Sequence, residues 1–266
     1  MKIAFYKYHG TGNDFVMIDN RGEIFPVEDN VYISGLCHRR FGIGADGVIC
    51  LEENTDGYYM RYFNANGSLG SMCGNGGRCF VHFADFLGLV EHDNFAFYAY
   101  DGLHEALIED GLVSLKMADV NTIDQRSEND FVLDTGSPHY VKFVENLSGF
   151  DVEKQGKAIR HNEEFDKDGV NVNFLEVVSY NKLIIKTFER GVESVTFACG
   201  TGAVASAMAW HYQQNKGVGD FETHLQTDGG VLVVSFTKNK TAYTNVWLKG
   251  PSVCSFSGVV EMPNVL

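Results

Sequence analysis

Short hydrophobic runs broken by turn residues dominate the chain. Residues 3–8, 15–19, 48–52, 58–63, 96–100 and 112–117 are rich in β-branched and aromatic side chains and are bounded by Gly, Asp or Asn, which predicts strands. The second half gives a similar set at 131–134, 140–144, 170–178, 183–188, 232–237 and 244–248. Residues 27–40 read as an outer helix. Two stretches break this pattern. Residues 79–87 are interrupted only by His82 and Asp85, and 203–210 reads AVASAMAW with a single serine. A helix that is apolar on nearly every side must be enclosed on most sides. The expectation is an α+β chain in which each half wraps a mainly antiparallel, curved β-sheet or barrel around one central helix.

The two halves also match each other. Sliding the sequence against itself by about 124 residues sets Thr11-Gly12-Asn13 on Thr135-Gly136-Ser137, and Val48, Leu51 and Glu52 on Val172, Leu175 and Glu176. Near the next matches the offset grows by about two, setting Asn64 against Arg190 and Cys73, Gly74 and Gly76 against Cys199, Gly200 and Gly202. Ordered matches at a nearly constant offset are the mark of an internal repeat. Two pseudo-symmetric domains follow, 1–118 carrying Cys73 and 119–254 carrying Cys199.

Composition narrows the class. A chain of 266 residues with 44% hydrophobic content can bury a sizeable core, and four prolines leave little room for a low-complexity linker. A net charge of -14 argues against nucleic acid or an anionic membrane as partner. The N-terminus breaks into Lys7, His9 and Gly10 before a signal-like stretch can form, and no apolar run reaches the roughly 20 residues of a membrane helix. A cytoplasmic protein is expected. Six cysteines are too sparse for a disulfide scaffold, and with no Cys-x-x-Cys or His-x-x-x-His no metal site is expected. Cys37, Cys50, Cys79 and Cys254 read as small core hydrophobes.

Cys73 and Cys199 differ from these, because each stands directly before a Gly-X-Gly turn that opens a buried helix. Helix N-termini present unpaired N–H groups and the positive end of the macrodipole, which favour an anion and lower a thiol pKa. Two such starts facing one another across a cleft would hold a carboxylate between them with a thiol on each side. Inverting a carbon that bears an acidic hydrogen needs a proton removed from one face and delivered to the other. Two opposed thiols sharing one negative charge do this, and no pyridoxal phosphate, flavin or other cofactor is required.

Taken together, MCGNGGRCF, ERG ahead of ACGTGA, HGTGNDFVMID, GIGADG, YFNANGS and GSPH resemble the diaminopimelate epimerase family, in that family's order and over most of the chain. The resemblance implies cofactor-independent interconversion of LL- and meso-diaminopimelate, a small diamino dicarboxylate on the route to lysine and peptidoglycan, by a two-domain homodimer with its active site between the domains. It makes Cys73 and Cys199 the acid and base, and Gly74, Asn75, Gly200 and Thr201 the cradle for the carboxylate at the reacting carbon. Asn13, Asn64, Asn171, Glu189 and Arg190 match its substrate contacts, with Arg190 suited to clamp a distal carboxylate. His139 matches a histidine beside the site. Ser137 and Gly47 depart from the commonest family residues, asparagine and glutamine, and happen to be the repeat mates of Asn13 and Asn171. The resemblance also implies that the tail, 255–266, returns to the first domain.

Two alternatives remain. A proline or hydroxyproline racemase or epimerase has the same architecture but typically carries histidine where Asn75 stands, and proline has no need of Arg190. A thiol redox protein, more remote, would cycle Cys73 and Cys199 through a disulfide without the usual Cys-x-x-Cys.

Overall fold

The computed structural model describes residues 2–261, and the chain divides into two compact units. One is built from residues up to Leu115 and again from Pro251 onward, the other from Lys116–Gly250.

The first unit begins with strands β1 (Lys2–Gly10) and β2 (Asn13–Asp19), followed by helix α1 (Asn30–Cys37), β3 (Gly47–Asn54), β4 (Gly57–Asn64), α2 (Gly74–Phe86), β5 (Asn94–Ala99), β6 (Gly102–Glu109) and β7 (Leu112–Lys116). Thr11 and Gly12 join β1 to β2 with φ of 50° and 89°. A two-residue turn with both positions left-handed matches the twist of its strands, and this one delivers Asn13 as the first residue of β2. The β1–β2, β3–β4, β5–β6 and β6–β7 pairs are antiparallel, while β2–β3 and β4–β5 are parallel.

The second unit repeats the order: β8 (Asp124–Gln125), β9 (Asp130–Asp134), β10 (Pro138–Phe143), α3 (Val152–Arg160), β11 (Asn171–Ser179), β12 (Lys182–Glu189), the short β13 (Ser194–Thr196), α4 (Gly200–Gln213), β14 (Gly219–Thr227), β15 (Gly230–Lys238) and β16 (Tyr243–Pro251). Again the parallel pairs are two, β10–β11 and β12–β14, in the places that β2–β3 and β4–β5 hold in the first unit. Register makes the repeat exact in position: Phe15 lies opposite Gly47, and His139 opposite Asn171, an offset of 124 on both strands. The chain then returns to the first unit, where β17 (Val253–Glu261) pairs antiparallel with β1. The expected tail reaches 266, and residues 262–266 lie outside the described residues.

Register also corrects one repeat match. Val48 faces Phe63 and Val172 faces Phe188, so Asn64 corresponds to Glu189, one residue before Arg190. Two extra residues make the drift from 124 to 126: one at the register shift between Val177 and Ser179 in the β11–β12 pair, and one in the turn after β12, where Glu193 takes a φ of 57°, beyond which the cysteines come into step.

Each sheet is covered on both faces. Val172 and Phe174 of β11 bury against the side that carries α3, with Leu147, Val152 and Phe188. Leu175 joins the other side, packed with Val204, Met208, Leu225, Leu232 and Leu248 around α4. Alternation along β11 therefore sends Asn171 and Asn173 toward α4 as well. In the first unit Val16, Ile18, Val48 and Cys50 pack with Ile33 and Leu36 of α1, and α2 lies against β1, β2, β3 and β6. From Gly202 to His211 every residue of α4 is buried. At about 1.5–3 kcal/mol for each large apolar side chain removed from water, these central helices anchor their units.

Several elements differ from the sequence reading. Helix α1 is shorter than 27–40, because Asp29 caps it through the Tyr32 N–H and His38 turns extended with ψ of 117°. Strands β6 (GLHEALIE) and β14 (GDFETHLQT) and helix α3 escaped prediction. In both strands charged and polar residues separate the few apolar ones, so the β-branched signal is absent. Cys254 is exposed on β17 and is no core residue, whereas Cys37, Cys50 and Cys79 are buried.

Candidate active site

Cys73 and Cys199 are the N-cap residues of α2 and α4, with φ, ψ of -115°, 125° and -115°, 115°. Their carbonyls accept the first helical bonds from Gly77 N–H (2.7 Å) and Ala203 N–H (2.9 Å). The same cap geometry leaves the N–H groups of the following residues pointing outward past the sulfur at each start. Both cysteines are half-buried.

Around Cys73 the hydrogen bonds run through amides and charges. Asn13 Nδ2 donates to Asp46 Oδ2 at 2.7 Å, which turns Asn13 Oδ1 toward the Cys73 sulfur at 3.6 Å. Asn75 Nδ2 donates to the same oxygen at 3.5 Å. Asn75 Oδ1 in turn accepts from Arg78 at 2.9 Å and from the Thr11 hydroxyl at 3.3 Å. Arg78 is fully buried on α2, and its remaining bonds go to Thr11 Oγ1 and the Gly74 carbonyl. Burial holds its pKa below the ordinary guanidinium value, against the pull of the Cys79 and Cys73 sulfurs. Asp14 lies next in the network: burial raises its carboxyl, but hydrogen bonds from Arg39 and Lys7 outweigh that and hold it well below the usual carboxylate range.

Around Cys199 the hydrogen bonds run through hydroxyls, an imidazole and amides, with Arg190 and Glu189 beyond them. The Thr201 hydroxyl lies 3.6 Å from the sulfur and 3.2 Å from Ser137 Oγ. Ser137 Oγ is 3.0 Å from His139 Nε2 and accepts from Asn171 Nδ2 at 3.3 Å. Burial pushes His139 down to about 3, with the Arg190 charge adding to the effect, so its imidazole is neutral. Asn173 Nδ2 donates to His139 Nδ1 at 3.0 Å, and the Thr187 hydroxyl donates to Asn173 Oδ1 at 2.9 Å. Arg190 N–H donates to Asn171 Oδ1 at 2.9 Å, while its guanidinium reaches the Asp168 carbonyl at 2.8 Å. Glu189 Oε1 accepts from the Thr196 hydroxyl at 2.6 Å.

The sequence-derived residues thus form two groups. Asn13, Cys73, Gly74 and Asn75 come together in the first unit, and Ser137, His139, Asn171, Arg190, Cys199, Gly200 and Thr201 in the second, with Glu189 next to Arg190. Asn64 ends β4 and donates to Ser68 Oγ at 3.2 Å, holding the turn that leads toward Cys73. Gly47 is crowded: a Cβ there would overlap the Phe63 carbonyl oxygen and stand 2.5 Å from Tyr62 Cε2, so the Tyr62 ring fills the side-chain space at this position.

Sequence reasoning missed Asp46, Thr11, Arg78 and Asn173. Asn173 carried a usable signal, since Asn171 and Asn173 are two apart in a strand and must share a face. Arg78 stands inside the MCGNGGRC motif itself. None of the other cysteines caps a helix; burial lifts Cys37 to about 11 and Cys79 to about 12 and raises Cys50 and Cys254. Among the described residues no three His, Cys, Asp or Glu side chains group as a metal site, and no helix is long and apolar enough to cross a membrane.

Comparison with known proteins places these features. The family model described as diaminopimelate epimerase matches residues 5–122 and 131–253. The chain is 45% identical over 261 residues to a diaminopimelate epimerase of Flavobacterium psychrophilum, covering 97% of this chain and 100% of that one. It is 39% identical to a diaminopimelate epimerase of Chlorobaculum tepidum, covering 95% and 99%. Among solved structures, a phenazine biosynthesis protein of the PhzF family from Bacillus anthracis superposes with a TM-score of 0.77 at 13% identity, covering 98% of this chain and 100% of that one. A probable proline racemase from Agrobacterium radiobacter gives 0.65 at 13% identity, covering 98% and 93%. At such identities these two likenesses speak for the fold alone.

Proposed function

Because this chain belongs to the diaminopimelate epimerase family, we propose that it interconverts LL- and meso-diaminopimelate by a two-base thiol and thiolate mechanism, without a cofactor, in the formation of lysine and peptidoglycan precursors. The observation that carries this reading is the matched pair of caps: two sulfurs, each at the start of a buried helix, with the same backbone conformation.

In this reading one sulfur is the anion and the other carries a proton. The thiolate takes the α hydrogen, breaking C–H and forming S–H, and the electron pair spreads into the adjacent carboxylate. The second S–H gives its proton to the opposite face of the carbon and becomes the thiolate. Two thiolates together would repel, so the pair holds one negative charge. N–H groups at the two helix starts, from Gly74, Asn75, Gly200 and Thr201, receive the carboxylate that gains charge, each contributing about 3 kcal/mol if it acts as an oxyanion-hole donor does. Arg190 takes the distal carboxylate as a two-pronged partner, Glu189 balances an ammonium, and Asn13, Asn64 and Asn171 complete the contacts. The tie between Arg190 N–H and Asn171 Oδ1 supports treating these two as one element of recognition. The same reading has the protein act in the cytoplasm as a homodimer; Val253, Phe256 and Val259, exposed on β17, offer apolar surface to a second copy.

The test is isotopic. Purified enzyme under reducing conditions in deuterated water is given LL-diaminopimelate and, separately, L-proline. The meso isomer with deuterium at the α carbon is the expected product. Exchange on proline alone would overturn the reading in favour of a proline racemase.

A further inference from the structure

Resting on the reading of Arg190 as the clamp for a distal carboxylate, we infer that Glu193 sets that clamp: it locks the turn from which Arg190 projects and takes up the charge of the neighbouring Arg160, so that Arg190 alone offers its fork to the ligand. Glu193 is a positioning residue, and through Arg190 it makes the second unit selective for a substrate with a second carboxylate.

The two units part at this turn. In the first, residues 64–68 (NANGS) close after β4 with the Gly67 N–H on the Asn64 carbonyl at 2.9 Å, and no charged side chain belongs to the turn. In the second the extra residue lengthens it, the Glu193 N–H donates to the Glu189 carbonyl at 2.8 Å, and Glu193 takes its left-handed φ of 57°. A residue other than glycine persists there only where its surroundings hold it. The carboxylate supplies that hold. Glu193 Oε1 accepts from the Gly191 N–H at 3.1 Å and from Arg160 Nε at 3.2 Å, and Oε2 lies 2.8 Å from His161 Nε2. The Gly191 N–H above all, with His161 and Arg160 beside it, holds the Glu193 carboxyl below its ordinary value. Arg160 ends α3 and His161 caps it, so one side chain ties the end of a helix to the turn that carries Arg190.

Arg190 is fixed at both ends of its length. Its backbone N–H donates to Asn171 Oδ1 and its Nη1 to the Asp168 carbonyl. Between these the stem lies over Gly169, whose φ is 73° and where a Cβ would overlap Arg190 Cδ and stand 3.0 Å from Arg160 Cζ. Two arginines therefore pass over one glycine. Their surroundings differ. Arg160 spends its N–H groups on Glu193 and on the carbonyls of Phe165 (3.2 Å) and Asp166 (3.4 Å), whereas Arg190 is exposed and among the described residues has no carboxylate partner. The unspent N–H groups of its planar fork match an incoming carboxylate. Without Glu193 the turn would loosen and two cations would share one ligand.

Kinetics of the whole enzyme on LL-diaminopimelate test this. Glu193→Ala is expected to raise KM about tenfold with kcat within about twofold of the parent, the mark of lost uniform binding. Glu193→Gln keeps an acceptor for the Gly191 N–H but not the charge, and should raise KM about threefold. In an Arg190→Ala background Glu193→Ala should change kcat/KM by less than about twofold, because the residue through which it acts is gone. An unchanged KM in Glu193→Ala, a loss confined to kcat, or an equally large effect in the Arg190→Ala background overturns the inference. Amide hydrogen exchange without substrate examines the lock by itself: Arg190, Gly191 and Glu193 should exchange at least about tenfold faster in Glu193→Ala than in the parent while β11 keeps its protection. Equal rates overturn the inference as well. A parent enzyme that leaves LL-diaminopimelate untouched sinks the epimerase reading instead, and the exchange result still decides for or against the lock.

Discussion

The starts of α2 and α4 share a backbone and little else. Both begin at a capping cysteine, both follow it with glycine, and both lead into a buried helix. Yet at five residues past the cysteine the first carries Arg78 and the second Val204, both fully buried. Around Cys73 a cation, carboxylates and primary amides meet; around Cys199 a neutral imidazole, two hydroxyls and amides do. Thr11 and Thr135 show the common ancestry of the layout, since each reaches the residue two past the cysteine of its own unit, Asn75 and Thr201. Backbone position is what the repeat preserves. Chemical role is what the two halves were free to divide.

The strongest way to break this comparison is to remove one sulfur at a time. Cys73→Ala and Cys199→Ala should each lower turnover by about 10²–10⁴-fold, the range expected for loss of a proton carrier. A variant that keeps activity within tenfold of the parent in a coupled epimerase assay would show that its sulfur carries no proton.

A smaller effect separates the two helix starts by their tolerance of a methyl group. At Gly202 a Cβ would overlap Asn173 Oδ1, held in place by Thr187, and stand 3.2 Å from the Cys199 sulfur. At Gly76 it would meet the ends of two flexible side chains, Ile49 Cδ1 at 3.0 Å and Met60 Cε at 3.2 Å. Gly202→Ala should cost about 1–3 kcal/mol in urea unfolding and Gly76→Ala less than about 1 kcal/mol. Equal losses would mean that both starts are packed alike.

The smallest effect is one of pH. His139 and His211, both in the second unit, are held down to about 3 and about 4, largely by burial. Between these values and the ordinary 6.5 the unfolded chain binds protons that the folded unit refuses, so their contribution is present at neutral pH and lost as pH falls through that window. Asp14 in the first unit has a lowered carboxyl pKa, and its contribution fades only below the ordinary carboxyl value of 3.8. Hydrogen exchange, corrected for intrinsic rates, should therefore show β10 and β11 losing protection between pH 7 and pH 5 before β2 and β3. Parallel loss in both units would sharpen the comparison against a special role for the buried histidines.

Much of this was readable in the chain. The glycine turns, the cysteines and the apolar helices stood out because tight backbone approach and full enclosure each restrict residue choice to a few types. The pairing of Asn64 with Glu189 was not readable, since a single extra residue in the β11–β12 pair leaves no mark on composition. Arg78 was visible as a letter but not as a buried cation. Sequence patterning treats arginine as a surface residue, and only three-dimensional enclosure by Thr11, Asn75 and Gly74 reveals otherwise. Ser137 looked like a shortened contact; its bonds to both His139 and Asn171 become apparent only when those two lie side by side across β10 and β11.

The return of β17 to β1 bears on how the molecule is made. During synthesis most of the first unit leaves the ribosome before the second, but the strand that covers β1 consists of residues 253–261 and emerges after it. The second unit, continuous in sequence, is complete before then. The half that is translated first therefore finishes second, with β1 lacking that neighbour until β17 has been made.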